Sequence, residues 1–238
     1  MGKRIAWGAG LSLVLLVLGA WVGLKHFMSA AATDPAFFED AILAFEAADR
    51  AEFPPPGGIV FVGSSSIRFW SSLSEDFAPL RVLNRGFGGA QFDHVLHNLD
   101  RAVLPYAPAA VVVYAGDNDL AGRTGKRAER VFADYQEFVA RVRAGLPGVR
   151  IYFLSIKPSP LRWARWPEMS RANALIEAWS AGDEGLGYLD LASPLLSPDG
   201  TPRDEFFRMD GLHLNAKGYA AWTRVVQPRL HEDLGAGD

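Results

Sequence analysis

Three consecutive serines, Ser64, Ser65 and Ser66, follow an apolar run in "GIVFVGSSSIRFW" at residues 58 to 70. A serine hydroxyl is a weak nucleophile until a histidine takes its proton and a carboxylate holds that histidine in place. The chain has 5 histidines, which makes the search for a partner short. His26 borders a long apolar segment and His231 lies in a polar tail, so both are poorly placed. His94 and His97 form an HxxH pair after "GGAQFD". That spacing could bind a metal, but no third ligand is near in sequence, and a surface or helix-packing role is the better reading. His213 stands three residues after Asp210 in "DGLH". On a turn or helix this spacing sets both side chains on one face, where the carboxylate can hold the Nδ1–H. Taken alone, such a pair is equally a surface turn leading into the helix "NAKGYAAWTRVV".

Acyl chemistry through serine also needs donors for the oxyanion. The backbone N–H of Ser65 at a strand-to-helix turn is one candidate, and Gly89 in "RGFGGA" is a second, since no side chain blocks approach to its backbone. Asn118 in "GDNDL" offers an amide NH2 as a third. Bland readings stand beside these: the glycines as a turn, and Asp117, Asn118 and Asp119 as a helix cap.

Five short apolar runs are needed to position these groups, and five are present: "GIVFV", "RVLN", "AAVVVYAG", "VRIYFLS" and "LGYLDL". Between them lie stretches such as "AERVFADYQEFVARVRAGLP", where Val131, Tyr135, Phe138, Val139 and Val142 follow a helical period. Apolar strands alternating with helices predict a parallel sheet covered on both faces, a three-layer α/β domain. Ligands of such sheets bind beyond the carboxyl ends of the strands. The serines, the glycine cluster, "GDNDL" and "DGLH" each follow a different run. Ahead of the sheet, Asp34-Pro35 reads as a helix start, with Phe38, Ile42 and Phe45 on one stripe and "FPPPGG" as the stop.

With 238 residues, about half of them hydrophobic, the chain accommodates one ordinary domain and an appendage. A net charge of -3 with interspersed signs gives no electrostatic case for nucleic acid. The absence of cysteine excludes disulfides, thiolate catalysis and Cys-ligated zinc. Ile5 to Leu24 carries no charged side chain and follows Lys3 and Arg4. Its length suits a single membrane-spanning helix, with the remainder of the chain on the extracytoplasmic, periplasmic side. The rival is a cleaved signal peptide ending near "MSAAAT", which would release a secreted domain; the length of the apolar run favours the anchor. The organisation expected is therefore a transmembrane anchor at 1–26, an amphipathic helix with a Pro-rich linker at 27–56, and a catalytic domain at 57–238.

The set of blocks resembles the SGNH (GDSL-type) hydrolases over about residues 58 to 226. "FVGSSSI" matches the first block and places the family serine at Ser65; "NRGFGGA" places the oxyanion glycine at Gly89. Gly116-Asp117-Asn118-Asp119 matches GxND, and "DGLH" supplies Asp210 and His213. The usual GDS is here GSS, with Ser64 where the family has an aspartate that is not the triad acid. The resemblance implies a flavodoxin-like five-stranded parallel sheet, no metal or other cofactor, and hydrolysis of small-molecule or glycan esters through an acyl-enzyme. His213 would act as base, Asp210 would orient it, and Ser65 N–H, Gly89 and Asn118 would line the oxyanion hole. Acyl transfer to an alcohol would use the same triad, and a non-catalytic carbohydrate-binding module could keep the same fold. "SIKPSPLRWARWPEMSRAN" brings Lys157, Arg162, Trp163, Arg165 and Trp166 near the expected site. These residues read either as a cationic and aromatic substrate loop or as cover for the edge of the core.

Overall fold

The structure, a computed structural model, describes residues 29 to 235 apart from 32 and 123. The apolar run of the N-terminus lies outside the described residues. Among those described, no helix is long and apolar enough to cross a membrane.

Five strands form one parallel sheet: β1 (Ile59–Gly63), β2 (Val82–Gly86), β3 (Ala110–Tyr114), β4 (Arg150–Leu154) and β5 (Leu186–Leu189). Their order across the sheet is β2-β1-β3-β4-β5. The four strands β1 and β3 to β5 fall where the apolar runs predict them. β2 runs two residues beyond "RVLN", because Arg85 and Gly86 continue the pairing with Val62 and Gly63.

Successive side chains of a strand face opposite sides, and the core divides accordingly. Val60, Val62, Val111, Val113, Ile151 and Phe153 pack on one face against α1 (Glu39–Ala51), α4 (Phe92–His97), α7 (Ala128–Gly145) and α8 (Trp166–Ser180). Ile59, Phe61, Val112, Tyr114, Tyr152 and Leu154 pack on the other against α2 (Ser65–Arg68), α3 (Leu73–Asp76) and α9 (Ala216–Leu234). Two short helices, α5 (Leu99–Ala102) and α6 (Asp117–Ala121), complete the helical set used below.

α1 starts later than its sequence suggests. Asp34 Oδ1 accepts from Ala36 N–H over a separate turn, and the regular helix begins at Glu39. Its stripe is nevertheless the one the sequence marks, for Ile42 is fully buried and Phe38 and Phe45 pack against the same core. Arg85 binds Asp49 and donates to Tyr106, while Arg101 reaches Glu39 and Glu46, so α1 is joined to the sheet edge by charge as well as by packing.

The strand order makes the chain reverse direction between β1 and β3, and a crevice opens there at the carboxyl edge. Ser64 to Ser66 leave β1 at this crevice, Gly116 to Asp119 leave β3, and the two loops therefore face one another.

Candidate active site

Gly63 ends β1 with φ 142°, and a side chain there would sit 2.0 Å from the carbonyl oxygen of Tyr114. Only glycine fits, and the chain can therefore turn sharply into α2 while Ser64 N–H still donates to Tyr114 O. The turn gives the three serines different fates: Ser64 and Ser66 are buried, at 0% and 2% exposure, while Ser65 is half-buried and opens to the crevice. Ser65 Oγ lies 3.1 Å from His213 Nε2.

His213 belongs to the long loop between β5 and α9. Asp210 Oδ2 lies 2.6 Å from His213 Nδ1, and its Oδ1 accepts the backbone N–H groups of Leu212 and His213, both at 2.9 Å. The pair thus sits on an aspartate-centred turn, which fixes the carboxylate before it meets the ring. Partial burial works against the charge on Asp210, but the bonds from His213 and the two N–H groups outweigh it and bring its pKa to about 2. Asn215 anchors the loop from below by capping α9 through Lys217 and Gly218 and donating to the carbonyls of Glu205 and Phe207. Phe69 packs edge-on against the imidazole at 5.0 Å, a support that nothing in the sequence spacing marks. The result is a hydrogen-bonded chain from carboxylate to imidazole to hydroxyl, the geometry needed for a base-activated nucleophile.

Three candidate oxyanion donors follow the adjacent strands β2, β1 and β3 at the same carboxyl edge of the sheet. The N–H of Ser65 is the first of α2 and has no intrahelical acceptor. Gly89 takes φ 84° in the turn after β2. Asn118 Nδ2 donates one hydrogen to Ala90 O at 2.9 Å, which ties the GDND segment to that turn and leaves Nδ2 a second hydrogen to donate. Asp119 strengthens the tie, since its buried carboxylate accepts from Phe92 N–H at 3.1 Å and from Lys126 at 3.0 Å.

The loop after β4 divides in two. Lys157 is buried, at 3.0 Å from Asp117 Oδ2 and 3.2 Å from the Tyr114 hydroxyl, so its ammonium serves an internal ion pair and is not offered to solvent. Arg162 also turns inward, donating to Asn118 Oδ1 at 2.9 Å and lying 3.3 Å from Asp117 Oδ2. Trp163 and Trp166 stack with centroids 6.1 Å apart, both partly exposed, and Arg165 is exposed. Leu161 N–H donates to Gly211 O at 3.0 Å, which places the loop beside the Asp210 turn.

His94 and His97 are not arranged as metal ligands. His94 is buried, with Nδ1 accepting from Gln91 N–H at 3.0 Å and Nε2 donating to Asp34 O at 3.1 Å, while His97 points outward from the same helix. Burial lowers the His94 pKa and keeps the ring neutral, as those two bonds require.

Burial opposes ionisation of Asp117 too, but Lys157 and Arg162 reverse the balance and lower its pKa to about 2. Its contribution to stability is therefore complete above the ordinary value of 3.8 and is lost as pH falls through about 2. Asp117→Asn is expected to destabilise the fold by ~3–5 kcal/mol, because Lys157 is left buried without its carboxylate. Combining it with Lys157→Met should recover most of the loss. Urea unfolding of the single and the double variant checks this, and an Asp117→Asn variant with the wild-type midpoint would show the pair to be without net effect.

The family model described as GDSL-like lipase/acylhydrolase matches residues 61–221 of the chain. Platelet-activating factor acetylhydrolase IB subunit alpha1 of Pongo abelii is 32% identical over 192 residues, covering 75% of this chain and 79% of that one. A GDSL-like lipase from Bacteroides thetaiotaomicron superposes with a TM-score of 0.71 at 19% identity, covering 82% of this chain and 99% of its own. A carbohydrate esterase family 3 protein from Talaromyces cellulolyticus does so with a TM-score of 0.59 at 18% identity, covering 76% and 100%. At these identities the two structures show likeness of fold.

Proposed function

The chain belongs to the GDSL-like lipase/acylhydrolase family and is a carboxylic ester hydrolase, and we propose that it is a membrane-anchored serine esterase acting outside the cytoplasm. The observation that carries the mechanistic part is the continuous contact from Asp210 through His213 to Ser65 Oγ.

Ser65 Oγ attacks the ester carbonyl as His213 Nε2 takes its proton. The carbonyl oxygen becomes an oxyanion held by the N–H groups of Ser65 and Gly89 and the amide of Asn118. Asp210, ionised well below neutral pH, stabilises the imidazolium and keeps Nδ1 protonated. His213 then gives its proton to the leaving alkoxide, which departs as alcohol and leaves an acyl-enzyme. Water, deprotonated by the same ring, attacks the acyl carbon and releases the acid, and the proton returns to Ser65.

For the substrate, we infer a short acyl group on an envelope glycan or a lipid alcohol. Two relatives support this through their names, one an acetylhydrolase and one a carbohydrate esterase. The partly exposed Trp163, on the loop that Leu161 joins to the Asp210 turn, suits a sugar face, while Trp166, stacked on it, also packs against the core. A series of chromogenic esters from acetyl to palmitoyl, run with acetylated glycans, tests the reading. Preference for acetyl esters supports it, and preference for palmitoyl would replace it with a long-chain lipase.

Placement outside the cytoplasm rests on the uncharged run from Ile5 to Leu24 after Lys3 and Arg4. The protein is expected to stay in the membrane pellet through an alkaline wash, with its domain open to protease from the outer side. A soluble form beginning near Ala32 or Thr33 would instead identify a cleaved signal peptide.

A further inference from the structure

We propose that Arg162 is a positioning residue for the oxyanion hole, acting on the reaction through Asn118. The inference rests on the esterase reading above and adds a residue outside its triad and its three donors.

An asparagine amide has two faces of nearly equal shape, and only its neighbours decide which end presents N–H to a ligand. Here both ends are engaged. Ala90 O takes a hydrogen from Nδ2 at 2.9 Å, and Arg162 Nη2 donates to Oδ1 at 2.9 Å. A flipped amide would set Nδ2 against the guanidinium and Oδ1 against a carbonyl, two repulsive contacts in place of two hydrogen bonds. Ala90 alone leaves rotation about the side chain available; the second contact, from the opposite side, removes it. The remaining Nδ2 hydrogen is thereby aimed before substrate arrives, which is the condition under which a donor lowers a barrier.

Arg162 is itself held. Asp117 Oδ2 lies 3.3 Å from Nη1, and the same carboxylate oxygen accepts from the buried ammonium of Lys157 at 3.0 Å. One planar guanidinium thus spans two consecutive residues of the GDND segment, Asp117 with one nitrogen and Asn118 with the other. A charged donor on Oδ1 also polarises the amide and strengthens the N–H that it offers to the oxyanion. The alternative, that Arg162 contacts the substrate, is less consistent with a guanidinium whose Nη2 already donates to Asn118 and whose Nη1 is buried beside Asp117.

The test is a double-mutant cycle on the full chain, with a chromogenic acetyl ester as probe. Arg162→Ala should lower kcat about ten- to thirtyfold, with KM changed less than about twofold, as for a group acting through a transition-state donor. In an Asn118→Ala background, the same substitution should change kcat by less than about twofold, since the group that it orients is gone. An equal loss in both backgrounds, or a loss expressed in KM, overturns the proposal. Should Arg162→Ala fail to fold, Arg162→Lys takes its place. It keeps a charge beside Asp117 but cannot bridge to Asn118 in a fixed fork, and it should show the same coupled loss in kcat. Full kcat in that variant would also overturn the proposal. A folded wild-type chain that hydrolyses no ester would remove the esterase reading on which the inference rests, a result distinct from an active enzyme whose two losses are additive.

Discussion

Ser65→Ala is expected to reduce ester turnover by about 10⁴-fold or more and to abolish covalent labelling by a fluorophosphonate. Ser64→Ala and Ser66→Ala should keep both. The difference follows from the turn that Gly63 permits. Ser64 and Ser66 direct their side chains into protein, and Ser65 alone of the three stands 3.1 Å from His213 Nε2. Ser64 Oγ is buried with no hydrogen-bond partner, so replacing it with a methyl group removes no bond and should leave stability within ~1 kcal/mol. Ser66 is bound through its backbone carbonyl, which accepts from Tyr219 at 3.0 Å, a contact that alanine keeps. Peptide mass spectrometry of the labelled protein checks the assignment directly. An adduct on Ser64 or Ser66 would refute the geometry, and active protein with no adduct would refute a serine mechanism.

Most of the sheet was legible because parallel strands buried on both faces leave continuous apolar runs, as in "AAVVVYAG" and "VRIYFLS". The DxxH pair was legible as a spacing, but its form was not. Asp210 draws in the N–H groups of Leu212 and His213 to make a turn, and no helix forms between the two residues. Lys157 was misleading for a different reason. In sequence it opens a loop rich in arginine and tryptophan, whereas in the fold its partner is Asp117, forty positions earlier and on another strand's exit. Burial of a lysine is decided by such a partner, and residue type alone points the other way. Phe69 and Tyr219 are not legible in the sequence, because packing against His213 and donating to Ser66 O leave no periodic or motif signature. The GSS variant of the first block has a simple structural account: the backbone of Ser64, through its N–H to Tyr114 O and its carbonyl to Ile67 and Arg68, forms the turn, and its side chain takes no part.

Asn118→Ala is expected to lower kcat by ~10²–10³ while leaving KM nearly unchanged. The ground-state ester carbonyl is a modest acceptor, and it gains full negative charge only as Ser65 adds to it. A donor aimed at that oxygen therefore contributes mainly at the transition state. Asn118 is unlike the other two donors in that its N–H belongs to a side chain and can be deleted without moving the backbone of the turn. The deletion also severs the bond to Ala90 O, and this could by itself displace Gly89. Asp119 and Phe92 hold the same two segments together independently, at 3.1 Å, so the turn should persist and the measured loss should report the donor. Kinetics and thermal unfolding of the one variant separate the cases. A large fall in kcat with a nearly unchanged melting temperature supports the oxyanion role. Normal turnover would remove Asn118 from the mechanism, and an equal fall in stability and activity would place its contribution in the fold.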